Sequence, residues 1–197
     1  MIKKFKFINI FLLLIFISKT AYSLEPNIFV QSTVNRASQI LSSDISKSDK
    51  IEKLKIIATD TVDIKGIGFY TLGKFRKELN DAEKKEYTKL FREYFLKSFS
   101  SRLAEYTNPK IDVQSQEKLN DKYTIVSSVL VATDTRPEIK IQWRVYTKDP
   151  DRPLIRDLII EGLSLARTQK EEFSSIIQSS DGDIQSLFSS LKKFINN

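Results

Sequence analysis

The sequence contains no cysteine and no histidine. Their absence excludes disulfides, thiol nucleophiles, imidazole bases, haem ligation by histidine and ordinary zinc sites. It does not fix the redox compartment, although it is compatible with an oxidising one. Glycine and proline are scarce, five of each in 197 residues, so the chain is not of low complexity. Basic runs with interleaved aromatics, the pattern of a single-strand binder, are missing too. The net charge of +7 overstates the case for nucleic acid. Lys3, Lys4, Lys6 and Lys19 supply four of it within a stretch that has no acid, which leaves about +3 on the remainder. No nucleic-acid partner is expected.

What is present begins with that N-terminal stretch. Lys3, Lys4 and Lys6 precede an apolar run, Phe7–Ile17, broken only by Asn9, and Ala21-Tyr22-Ser23 places small residues at −3 and −1. This is the pattern of a secretory signal peptide over 1–23, cleaved after Ser23. The apolar run is too short to span about 30 Å of hydrocarbon. No cysteine follows it, so a bacterial lipoprotein is excluded. The expected mature domain is 24–197, exported and soluble, and the hydrophobic content of 41% over the whole chain suffices for a core.

Apolar periodicity organises this domain around Lys122–Ile177. Three strands are expected at Tyr123–Thr133, Glu138–Thr147 and Pro153–Glu161, each with period-two alternation. The turns Asp134–Pro137 and Asp149–Asp151 are too short for parallel crossovers, so the strands pair as antiparallel hairpins. A fourth short strand is expected at Ile111–Ser115. Helices are expected at Pro26–Ser43, Asp49–Thr59 (Asp49 as cap), Asp63–Leu79, Asn80–Tyr106, Gly162–Gln178 and Asp183–Ile195. Asn80 with Glu83 makes a capping box for the longest of them. Gly66, Gly68 and Gly73 in the third imply close packing or a hinge, since no strand precedes them to make a phosphate loop. The fold class is α+β: an antiparallel sheet of about four strands with helices packed onto it.

Acid–base chemistry in this chain would fall to Asp, Glu, Lys or Tyr. Asp134, Glu138, Asp157 and Glu161 are the candidate carboxylates. Glu161, ahead of a helix start, reads better as a helix cap, and Ser164 as a first-turn residue without a base partner. The second theme is aromatic: thirteen phenylalanines, many on Asn80–Tyr106 and the glycine-bearing helix before it. Periodicity alone does not separate an apolar cavity from a filled core here.

Four motifs in order point to a family. Ile141-Gln142-Trp143-Arg144, then Glu161-Gly162-Leu163-Ser164-Leu165, then Thr168-Gln169 with Glu172-Phe173, resemble the QWR strand and EGVSM…TQ..EF segment of the MlaC family. These are periplasmic phospholipid-binding proteins, also called the toluene-tolerance auxiliary family. Leu72-Gly73-Lys74-Phe75 resembles its LGRY motif. Leu90–Phe95 with Arg102-Leu103 and Tyr106 resembles its LFREYL…RL..Y helix. Leu163 and Leu165 stand where the family carries Val and Met.

The resemblance implies a nuclear-transport-factor-2-like fold, a curved antiparallel sheet wrapped by helices, with an apolar lipid pocket between sheet and helices, and no catalysis. The cargo would be a glycerophospholipid and the compartment the periplasm. Partners would be an outer-membrane lipoprotein complex and an inner-membrane ABC transporter carrying an MCE-domain protein, serving outer-membrane lipid asymmetry. No metal or cofactor is implied besides the lipid cargo, and a monomer is the simplest shuttle. A protein-binding adaptor, or a binder of hopanoid- or sterol-like lipid on the same fold, is the alternative. At about 0.8 kcal/mol per buried methylene, two chains of about 15 methylenes represent more than about 20 kcal/mol against exposure. The pocket should therefore reach or exceed the upper end of about 300–1,000 Å³. Expected lining residues are Phe69, Leu72, Phe91, Tyr94, Phe95 and Phe99 from helices, Val129, Val131, Ile141, Trp143, Val145 and Ile160 from strands, and Leu163 and Leu165 at the junction. Arg136 and Arg144 are the candidates for a head group or partner surface.

Overall fold

The computed structural model describes residues 24–197. The signal peptide expected over 1–23 lies outside the described residues. Four helices come first: α1 (Pro26–Ser42), α2 (Lys47–Thr61), α3 (Ile64–Thr71) and α4 (Asp81–Leu103), with a 3-10 turn at Gly73–Lys77 between the last two. Five strands follow: β1 (Ile111–Asn120), β2 (Tyr123–Leu130), β3 (Ile139–Tyr146), β4 (Leu154–Ile160) and β5 (Leu163–Ser164). Then come α5 (Leu165–Gln178) and α6 (Ile184–Asn196). The strands form one antiparallel sheet in sequence order. Among the described residues, no helix is long and apolar enough to cross a membrane.

Local chemistry explains most boundaries. The Asn80 side chain accepts from the Glu83 N–H at 2.9 Å and the Glu83 carboxylate accepts from the Asn80 N–H at 2.9 Å, so the expected capping box is made. The cap of α2 is Ser46, not Asp49: the Ser46 hydroxyl accepts from the Asp49 N–H at 3.0 Å, and Asp49 sits one turn in, where a carboxylate faces the positive helix end. The expected helix over 63–79 splits because Gly73 takes φ +56°, the left-handed conformation that closes a helix. β1 runs five residues further than expected, because its second half is polar and exposed and carries no apolar alternation.

Cross-strand partners share a face of a sheet, which settles which residues look inward. Trp143 pairs with Val126, Ile141 with Ser128, and Val145 with Thr124. Val126, Leu130, Ile141, Trp143 and Val145 belong to the core, together with Val30 and Val34 of α1, Leu72, Phe91, and Phe173 and Ile177 of α5. α6 adds Leu187 and Phe188, the latter stacked on Tyr87 at 6.0 Å between centroids. Tyr87 is buried, yet its hydroxyl meets the Thr71 hydroxyl at 2.9 Å and donates to the Gly68 carbonyl at 3.2 Å. Its polar end is therefore satisfied within the core.

The helices are tied to the sheet at the α2–α3 junction. Val62 bridges to Ile155, and the Asp63 N–H donates to the Ile155 carbonyl at 2.9 Å. Asp63 accepts from the Gly66 N–H to cap α3 and pairs with Arg156 of β4. The Arg156 guanidinium also donates to the Tyr123 hydroxyl at 2.9 Å and lies 4.0 Å from the centre of the Tyr146 ring.

Candidate functional site

α4 carries two parallel stripes at four-residue spacing, one aromatic and one polar. Phe91, Phe95 and Phe99 form the first. Phe95 and Phe99 stack at 5.3 Å and 12°, and Phe91 stands 6.1 Å from Phe95. Tyr94, Ser98 and Arg102 form the second. Residues at i and i+4 lie above one another on a helix, so the stripes run side by side along its axis. The capping box at Asn80 fixes where this pattern begins.

The aromatic stripe faces β3 and β4 across a cavity of about 280 Å³. Its apolar wall is made by Trp143, Ile155 and Leu158 of the sheet, Val62 and Ile67 from the α2–α3 region, and Leu165 and Ala166 at the start of α5. The Trp143 indole N–H donates to the Ser128 hydroxyl at 2.8 Å, which leaves the rest of the ring free to act as apolar surface. The polar stripe meets Thr168, Gln169 and Glu172 of α5 at the rim. There the Tyr94 hydroxyl donates to Gln169 Oε1 at 2.8 Å, and Gln169 Nε2 donates to Glu172 Oε2 at 2.8 Å. Burial raises the Tyr94 titration and the Glu172 charge raises it further, while the Gln169 bond and the Arg102 charge oppose them.

Asp157 anchors the mouth. It is buried, and its carboxylate accepts from the Ser164 hydroxyl at 2.6 Å and from the Ala166 N–H at 3.0 Å, with Arg144 3.6 Å away. The Ser164 hydroxyl in turn accepts from the Arg167 N–H at 3.1 Å, so Ser164 is the N-cap of α5 rather than a first-turn residue. The expected cap, Glu161, does a different job. It sits at φ +49° before Gly162, and its carboxylate accepts from the Lys140 N–H at the end of the β3–β4 ladder. Asp134 and Glu138 are exposed in the β2–β3 loop. Among the described residues no three acidic side chains gather as a metal site requires.

Six of the expected lining residues come together here: Phe91, Tyr94, Phe95, Phe99, Trp143 and Leu165. Leu72, Ile141 and Val145 are buried in the core beside them, and Phe69 packs half-buried against it. Val129 pairs with Lys140 and so lies on the opposite sheet face from Trp143. Val131 lies past the end of β2, where its N–H donates to the Lys110 carbonyl. Ile160 pairs with Ile141 and Leu163 at the sheet edge, and Leu163 is 60% exposed. Arg136 donates to the Val131 carbonyl at 3.1 Å over the Tyr106 ring, and Arg144 lies beside Asp157; neither lines the cavity. The rim residues Arg102, Gln169 and Glu172 were not among the expected set. Their signal is the second stripe on α4, which by itself reads as a solvated helix face.

Comparison with known proteins agrees with this architecture. A solved structure at 1.53 Å of a phospholipid-binding protein from Ralstonia solanacearum, in complex with a phospholipid, superposes with a TM-score of 0.72. It shares 18% identity, and the match covers 86% of this chain and 96% of that one. At that identity the likeness establishes the fold. The family model described as MlaC protein matches residues 31–193, most of the chain and every element from α1 to α6, and the chain therefore belongs to the MlaC family.

Proposed function

We propose that this protein is a periplasmic phospholipid carrier, taking lipid between an outer-membrane lipoprotein complex and an inner-membrane MCE/ABC transporter. The observation that carries the reading is the two-sided cavity: aromatic and aliphatic walls on one side, and polar groups gathered along α4 and α5 and at Asp157 on the other. That division suits an amphiphile with its acyl chains inside and its head group near water. The family, and a neighbour of the same fold described as holding a phospholipid, support it.

The volume qualifies how the cargo is held. About 280 Å³ is less than the pocket expected for two acyl chains, and lies just under the range of about 300–1,000 Å³ that holds a drug-sized ligand. The protein's own rings, Phe91, Phe95 and Phe99, stack along the cavity wall. Loading then requires those rings to turn aside or α4 and α5 to separate. Across the mouth the two helices are joined by the Tyr94–Gln169 hydrogen bond and by the contact of Tyr94 with Phe173 at 5.7 Å. Both are weak enough to exchange for contacts with lipid, at about 1 kcal/mol each.

Native mass spectrometry of protein purified without detergent from a periplasmic extract tests the proposal. An adduct with the mass of one phospholipid, lost on denaturation, is the expected result. A bare protein mass that stays bare after incubation with phospholipid vesicles would refute lipid carriage and favour an adaptor that binds only protein.

A further inference from the structure

Three of the residues lining the cavity carry formal charge: Arg102, Asp157 and Glu172. Asp157 is buried and committed to Ser164, Ala166 and Arg144. The other two are exposed and reach the cavity from different helices, Arg102 on α4 and Glu172 on α5. Arg102 makes no ion pair with any described residue. Both lie near enough to the Tyr94 hydroxyl to act on it, with opposite effect, and both line the same cavity. The neighbouring charges of α5, Arg167, Lys170 and Glu171, line a separate surface groove with Tyr70.

A rim with one positive group, one negative group and no net charge is complementary to a ligand head that carries one of each. We infer that the rim is a head-group subsite selective for zwitterionic phospholipids, with Arg102 receiving the phosphate and Glu172 the ammonium. The inference rests on the carrier reading above. The Arg102 guanidinium offers a planar fork of N–H donors to phosphate oxygens. The Glu172 carboxylate, held by Gln169, accepts from the ammonium of an ethanolamine head. A phosphatidylglycerol head satisfies Arg102 but leaves Glu172 facing a net negative lipid without a cation. A free fatty acid likewise engages Arg102 alone. Because both side chains are solvated, the discrimination is modest, about two- to fivefold, as for exposed charge pairs.

The test is a competition. The purified protein is stripped of lipid and incubated with vesicles of equal parts phosphatidylethanolamine and phosphatidylglycerol with matched acyl chains, and the bound species are counted by native mass spectrometry. Wild type should be enriched about two- to fivefold in phosphatidylethanolamine. Glu172→Gln should bring the ratio to parity, and Glu172→Lys should reverse it. Arg102→Gln should lower the bound fraction of both lipids together. The preference should also fade near 1 M salt, where the screening length falls to about 3 Å, and this readout needs no variant. A wild-type ratio equal to that of the vesicles, unmoved by Glu172→Lys, would overturn the subsite while leaving lipid carriage intact. Absence of any phospholipid adduct would overturn the carrier reading and the subsite together.

Discussion

Replacing Asp157 tests how the cavity mouth is built. Its carboxylate is 4% exposed and holds three groups: the Ser164 hydroxyl, the Ala166 N–H and, more loosely, Arg144. A hydrogen bond to a charged partner contributes about 1.5–3 kcal/mol. The Arg144 contact, at 3.6 Å and with an arginine about a third exposed, contributes about 0–1 kcal/mol. Two strong bonds and one weak contact give about 3–7 kcal/mol for Asp157→Ala, a large part of a total stability of about 5–15 kcal/mol. Asp157→Asn keeps the acceptor for Ala166 and loses the charge, so it should cost about half as much. Ser164→Ala removes the N-cap and should cost about 1–2 kcal/mol. Because Ser164 is in contact with Asp157, the double variant should lose less than the sum, by about 1 kcal/mol or more. Urea unfolding followed by circular dichroism measures all four. A loss below about 1 kcal/mol for Asp157→Ala, with an unchanged denaturant slope, would show that Asp157 does not anchor α5.

Alkaline unfolding should report the Tyr87 hydroxyl. Burial raises its titration well above the ordinary 10.0, so above pH 10 the unfolded chain releases this proton and the folded one keeps it. Stability should then fall by about 1.4 kcal/mol per pH unit from this group, and Tyr87→Phe should lack that component of the slope; parallel slopes would refute it. Gly68→Ala would place a methyl 2.8 Å from the Phe91 ring. The overpacking, about 1–3 kcal/mol, should outweigh a helix-propensity gain of about 1 kcal/mol and lower the urea midpoint, whereas a raised midpoint would mean that Phe91 yields freely. Phe95→Asp sets a charge in the apolar stripe and should cut the phospholipid adduct in native mass spectra by more than about tenfold while leaving the circular dichroism spectrum native. An undiminished adduct would place the acyl chains elsewhere.

How far these features can be read without a structure depends on whether their signal is local. The box at Asn80–Glu83 involves residues three apart, and the structure makes it as expected. The hairpins are legible for the same reason, since turn residues and alternation lie within one short window. Strand parity is different. Val126 and Leu130 compete with Val129 and Val131 for the inner face of β2, all are apolar, and only the register with β3 decides. The start of α5 is partly legible: its cap, Ser164, lies three residues from the expected Glu161, whereas the support that Asp157 gives it comes from β4 beside the strand irregularity opposite Arg144 and Val145, which no pattern announces. The cavity rim is the hardest part. Arg102 and Glu172 lie seventy residues apart on helices whose polar faces look like any solvated surface, and only their meeting over an apolar cavity distinguishes them.

The order of the elements along the chain has a consequence for folding. β1 to β5 pair only with sequence neighbours, so the sheet can zip from local hairpins once residue 164 exists. The four helices that precede it have apolar stripes whose partners come later: Leu72 and Phe91 wait for Val126, Trp143 and Phe173, and Tyr87 waits for Phe188. A nascent chain of a hundred residues can therefore pack α2 and α3 against α4, but it has no sheet to complete the core. The core is completed only when α5 and α6 arrive, so until then its apolar faces stay partly open to any process that binds an incompletely folded chain, such as capture by a holding chaperone.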